Sequence, residues 1–307
     1  MRVKAIRGWD KLLTWAFGTK LNPYPLNGQL SPVILRVSDP ELLDFEPRFG
    51  FFSIYHPIVG VVTESAKDLQ VVQCLLSLAE EKIRDPFQRS FATDEILAKV
   101  LAYRNLQEGD QIRFAGTTYL VEQVMDLWRG MPAFGLVPLE GSAPPILLFR
   151  GTDLTLTKER GWASVLSDLD VAGPGFRTFQ KARPQIQTWL EEKKEAGTPA
   201  RLVGFSLGGA FVLHCLIEMP ELVSQTSLSS IFNAPGLSPT VAKRWKEQKE
   251  KPPHILYLTL GDLVPQIGTF FSRGYEVKID KPLQVIEAHV TLMGLQEEAT
   301  LTPLLFK

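Results

Sequence analysis

The sequence predicts an α/β fold with a mostly parallel central sheet flanked by helices. Three observations carry that expectation. From residue 146 onward, short apolar runs ("ILLF", "RLVGF", "SSIF", "HILYLTL") recur with helical segments between them. Strands covered on both faces read as continuous apolar runs, and parallel neighbours need crossover helices. "VGFSLGGA", residues 203–210, crowds three glycines around Ser206 where one of these strands ends and a helix begins. Lastly, Cys74 and Cys215 are the two cysteines in 307 residues. They are too few for a disulfide framework, which fits a reducing compartment, and 307 residues are ample for a large apolar core. Cys215 lies in an apolar run and reads as core filler.

The formal net charge of −1 gives no bulk attraction to nucleic acid, and no nucleic-acid partner is expected. No apolar run is long enough for a transmembrane helix. The first twenty residues mix Arg, Lys and Asp through their apolar positions, without a clean apolar region or a small-residue cleavage site. They do not read as a signal peptide, and a cytoplasmic location, or export without a classical signal, is expected.

Taken in order, Ile6, Trp9, Leu13, Ala16 and Phe17 fall at helical spacing. A helix docked on the core is favoured over one lying on a membrane surface. Residues 21–60, rich in Pro, Gly and aromatics, read as extended and irregular. Ala66 to Glu81 is helical in pattern, and Thr93 reads as the cap of a second helix with Asp94 and Glu95 in its first turn. "DQIRFAGTTYLVEQV" reads as two strands joined by an Ala-Gly-Thr turn, and "AFGLVPL" as a third. A helix is predicted from Phe176 to Glu195, kinked or delayed by Pro184. "YEVKI" (275–279) alternates like an edge strand. Residues 1–104 are read as an N-terminal extension packed on the core, with no function assigned, and residues 105–307 as the catalytic domain.

Gly204-Phe-Ser206-Leu-Gly208 fits G-x-S-x-G, and its position between strand and helix is what a nucleophile elbow requires. The serine sits on a strained turn that lifts its hydroxyl clear, and a side chain at 204 or 208 would collide with the neighbouring strand or helix. A serine needs a base. Of the four histidines, His56 comes too early, His214 lies on the elbow helix and reads as packed, and His254 begins a strand at the opposite edge. His289, beyond the last predicted strand, remains as general base. Asp262, in the turn after "YLTL", is preferred as the acid over Asp280, because its strand looks central. Leu207, following the nucleophile, is expected to supply one oxyanion-hole N–H, and Thr152 in "LLFRGTD" the other.

These residues resemble a known group. "FRGTD", "GPGF" before a long helix, "GFSLGGA", "FNAPG", "GDLVP" and a late histidine are similar to motifs of the fungal-type (class 3) lipases. That group includes triacylglycerol lipases, phospholipases A1 and related esterases. The resemblance spans roughly residues 105–300 and implies an α/β-hydrolase fold. It also implies a Ser206–His289–Asp262 triad, an oxyanion hole at Thr152 and Leu207, and no cofactor or metal. The chain departs from the group in three ways. Phe205 stands where many members carry His, the interval from Asp262 to His289 is short, and "FNAPG" replaces a more usual Gly-x-Pro.

In such proteins the segment after the "FRG" loop often forms a lid. Here Trp162, Val165, Leu166 and Leu169 fall at i, i+3, i+4 and i+7, opposite Lys158, Glu159, Ser164, Ser167 and Asp168. A lid that opens at a lipid surface and a fixed surface helix both fit this pattern. The expected activity is hydrolysis of carboxylic esters through an acyl-enzyme, on a lipid or other acyl-ester substrate, with transient membrane-surface contact. An acyltransferase, or a silent hydrolase scaffold used for binding, stands as the alternative.

Overall fold

In a strand, alternate side chains face opposite sides, so a run without a polar residue must be covered twice. Ile146 and Leu148 enter one apolar cluster and Leu147 and Phe149 another, all essentially without exposure. The computed structural model describes residues 69–127, 131–151, 169–170, 173–280, 283, 285–296 and 299–305. His56, the first-twenty-residue helix and the extended stretch 21–60 lie outside them.

Two helices open the described chain: α1 (Gln70–Lys82) and α2 (Pro86–Lys99). Then come β1 (Gln111–Phe114), β2 (Thr117–Asp126), β3 (Pro132–Pro138) and β4 (Ile146–Phe149). A two-residue pair, β5 (Leu169–Asp170) and β6 (Gly173–Pro174), precedes α3 (Phe176–Glu195). Next are β7 (Arg201–Phe205), α4 (Leu207–Glu218), β8 (Ser229–Phe232), α5 (Pro239–Glu247), β9 (His254–Thr259) and β10 (Arg273–Lys278). The described chain ends with α6 (Val285–Val290) and β11 (Thr300–Leu305).

The main sheet runs β1-β2-β3-β4-β7-β8-β9-β10-β11. From β4 through β7, β8 and β9 to β10 the neighbours are parallel. The hairpins β1–β2–β3–β4 and the β10–β11 pair add antiparallel wings. The predicted apolar runs therefore form the parallel centre. "YEVKI" is not an edge, because β11 pairs along it from Arg273↔Leu305 to Lys278↔Thr300. Pro303 made β11 hard to read as a strand, and its place on the outermost strand is where proline is tolerated.

One face of the sheet is covered by α1, α2 and the stretch Val290–Leu295; the other by α3, α4 and α5. α2 does not start at Thr93. It starts at Pro86, with the Asp85 side chain accepting from the Gln88 N–H at 2.8 Å and proline in the first turn, a cap worth about 1 kcal/mol. Thr93, Asp94 and Glu95 are buried in mid-helix instead. Burial of the two carboxylates is tolerated because each finds partners. Asp94 takes both Arg201 guanidinium nitrogens at 2.7 and 2.8 Å and the Ser230 hydroxyl, while Glu95 takes the Lys99 ammonium at 2.8 Å. In α3, Pro184 lies on the exposed side, where water can serve the carbonyl left without its N–H donor, and the helix runs through it. Among the described residues no helix is long and apolar enough to cross a membrane.

Candidate active site

β7 ends at Phe205, and Ser206 then takes φ 56° and ψ −126°, a backbone shape that costs a non-glycine residue on the order of 1–3 kcal/mol. The surroundings impose it. A Cβ at position 204 would lie 2.5 Å from the Gly208 carbonyl oxygen, and one at position 208 would lie 2.5 Å from that of Phe149 at the end of β4. Glycine at both positions lets β7, α4 and β4 close on the turn. The Ser206 N–H donates to the Phe232 carbonyl at 2.9 Å, fastening the elbow to β8. α4 begins at Leu207, and the first N–H groups of a helix have no carbonyl partner within it, leaving partial positive charge beside the serine.

Strand β9 delivers Asp262. Its N–H bonds back to Thr259, and its Oδ1 accepts from the Val264 N–H at 2.9 Å, so the carboxylate is held within its own turn. The helical turn α6 delivers His289. Its Nδ1 lies 2.7 Å from Asp262 Oδ2 and its Nε2 3.0 Å from Ser206 Oγ. A carboxylate only accepts hydrogen bonds, so Nδ1 carries the proton and the Nε2 lone pair faces the serine hydroxyl. The structure thus brings together Ser206, His289 and Asp262, which are 7%, 2% and 2% exposed. At that burial little water competes for the two bonds. His289 does not lie past the last strand, since β11 follows it.

The other candidates fall elsewhere. Asp280, the rival acid, is exposed beyond the end of β10. His214 is buried on α4, where its Nε2 donates to the Pro174 carbonyl and its ring stacks on Phe179. Burial pushes its pKa down to about 4, despite that bond and the charge of Glu218. His254 begins β9 beside Trp245, with its Nδ1 donating to Pro252 and its pKa lowered by burial to about 4.

Sequence reading missed two contributors. Asn233, in "FNAPG", accepts from the Thr259 N–H at 2.9 Å and donates to the carbonyls of Ala288 at 3.1 Å and His289 at 2.9 Å. The one signal available was its place directly after a buried strand, where its φ of 47° suits asparagine. Phe205 sets its ring 4.7 Å from the imidazole of His289 and packs against it.

Gly151 follows β4 and crosses the elbow. A Cβ there would stand 2.6 Å from the Phe205 carbonyl and 3.2 Å from Ser206 Cβ. Thr152 lies outside the described residues, as do Trp162, Val165 and Leu166. Leu169, the last position of the predicted lid helix, is in the short strand β5, paired with Pro174. The predicted helix therefore does not include Leu169.

A strained serine between strand and helix, with a histidine and an aspartate on later turns at the carboxyl ends of parallel strands, is the layout of an α/β-hydrolase. No family model matches the sequence, and no curated protein does. Among solved structures, the chain is similar to a fungal lipase at 18% identity, covering 65% of this chain and 81% of the other with a TM-score of 0.46. A mutant form of MDLA from Penicillium cyclopium matches at 18% identity, 73% and 83% coverage and a TM-score of 0.45. A triacylglycerol lipase from Penicillium expansum matches at 13% identity, 70% and 84% coverage and a TM-score of 0.44.

Proposed function

We propose that this protein is a serine hydrolase of carboxylic esters that works through an acyl-enzyme on Ser206. The observation that carries the proposal is the unbroken chain from Ser206 Oγ through His289 to Asp262, with bonds of 3.0 and 2.7 Å. Ser206 Oγ attacks the ester carbonyl while His289 Nε2 takes its proton. The imidazolium then gives that proton to the leaving alcohol, and Asp262 keeps the ring in the required tautomer. The Leu207 N–H, at the start of α4, meets the developing oxyanion, and the loop after Gly151 supplies the second donor, assigned to Thr152. Water, activated by the same imidazole, releases the acid.

An apolar acyl ester, of lipid or similar type, is the proposed substrate. Support comes from Leu260 and Leu263, which flank Asp262 and are 54% and 57% exposed, and from the apolar pattern of Trp162, Val165 and Leu166. A fluorophosphonate probe tests the nucleophile. Labelling of the wild type that disappears in Ser206→Ala is expected; no labelling, or labelling that survives the substitution, overturns the reading. Hydrolysis of p-nitrophenyl esters of rising chain length, below and above micelle formation, tests the substrate class.

A further inference from the structure

Lys99 and Glu95, on α2, are 1% exposed. Their bonds go to the backbone that follows His289. Lys99 Nζ donates to the Thr291 carbonyl at 2.7 Å and to Glu95 Oε1 at 2.8 Å, and the second Glu95 oxygen accepts from the Gly294 N–H at 2.7 Å. Contact there is close: a Cβ at position 294 would lie 2.5 Å from the Cα of Ala92. Lys99 Nζ also stands 5.5 Å from the ring centre of Phe205, the ring that packs on His289.

We propose that Lys99 and Glu95 are positioning residues that fix the reach of the His289 imidazole to Ser206. A buried ion pair gives little stability that apolar side chains of the same volume would not give. What it adds is direction, since two oriented bonds hold the Thr291 carbonyl and the Gly294 N–H where apolar packing would let them slide. His289 then sits between two clamps. Asn233 holds its own carbonyl from the end of β8, and α2 holds the residues after it. Loosening one clamp tilts the ring, and an error on the order of 1 Å in a reacting group costs rate steeply. The proposal rests on Ser206 being the nucleophile and His289 its base.

The test is the double variant Lys99→Met with Glu95→Gln, which buries no unpaired charge and keeps an oxygen for the Gly294 N–H. Lys99→Met alone leaves Glu95 uncompensated and serves only as comparison. The wild type and the double variant are both expected to unfold cooperatively. Its fluorophosphonate labelling and kcat are expected to fall about tenfold or more, with KM within about twofold. The low-field proton resonance of the His289 Nδ1–H bonded to Asp262 should shift or broaden. Val72→Ala, a core truncation in α1, is the control; it lowers the melting temperature and leaves kcat and the resonance alone. A double variant with wild-type kcat and an unchanged resonance overturns this proposal and leaves the nucleophile standing. A wild type that does not label overturns both.

Discussion

The side-chain amide of Asn233 donates to the carbonyl of His289 at 2.9 Å, joining the end of β8 to the turn that carries the base. Its oxygen at the same time accepts from the Thr259 N–H, three residues before Asp262. One buried amide therefore sets the spacing between acid and histidine. Asn233→Ala strands the Thr259 N–H and two carbonyls, and is expected to cost about 2–3 kcal/mol of stability. It should lower kcat more than it raises KM. Urea unfolding and steady-state kinetics measure the two effects separately.

Ser206 is held with φ at 56°. Ser206→Gly removes both the hydroxyl and the strain. The expected result is a protein without measurable turnover whose unfolding free energy is about 1 kcal/mol or more above the wild type. A drop in stability would mean that the elbow is not strained.

Asp262→Asn replaces an acceptor with a group that can donate, and it lets the His289 tautomer reverse so that Nε2–H faces the serine. A loss of about 10⁴-fold in kcat is expected at neutral pH, with the fold intact. Labelling rate against pH, together with a melting curve, checks it.

Acid should destabilise the fold through histidines outside the site. The folded-state pKa of His214 is lowered from 6.5 to about 4 by burial. Between those values the unfolded chain binds a proton that the folded chain refuses. The stability is therefore complete above pH 6.5 and falls as the pH drops toward 4, by up to about 3 kcal/mol. His254, whose pKa burial also lowers to about 4, adds in the same direction. His214→Phe should flatten the dependence of unfolding free energy on pH between 4 and 6.5.

The pair Asp94–Arg201 offers a test of buried charge away from the histidine. Arg201→Met leaves Asp94 without its two guanidinium bonds and should cost about 3–5 kcal/mol, whereas Arg201→Met with Asp94→Leu recovers most of that. A double-variant cycle in denaturant measures the difference.

These results also show which parts of the structure local sequence could reveal. "ILLF", "RLVGF" and "SSIF" became β4, β7 and β8 residue for residue, because a run covered on both faces carries its own pattern. The elbow was legible because its pattern sits directly between a strand and a helix, and Gly204 answers to Gly208 four residues on, although Gly208 answers to Phe149 on β4. The start of α2 was not. A polar triplet, Thr93-Asp94-Glu95, looks like a cap when its partners are unseen, and those partners are Arg201, Ser230, Lys99 and Gly294. Asn233 went unassigned likewise, because its three bonds lead to β9 and α6. β11 was overlooked because it contains Pro303, and an outer strand makes few demands on its sequence.

The bonds from α2 to the histidine segment join residues 192 and 199 positions apart. On a chain emerging from the ribosome, β7 and the elbow can form while the base and the backbone that steadies it are still unmade. Until then Ser206 stands without the His289 imidazole. That contact can form only when the stretch from His289 to Gly294 settles onto α2, a helix made in the first third of translation. Closing so large a loop is slow, so the Ser206–His289 contact is expected among the last to form.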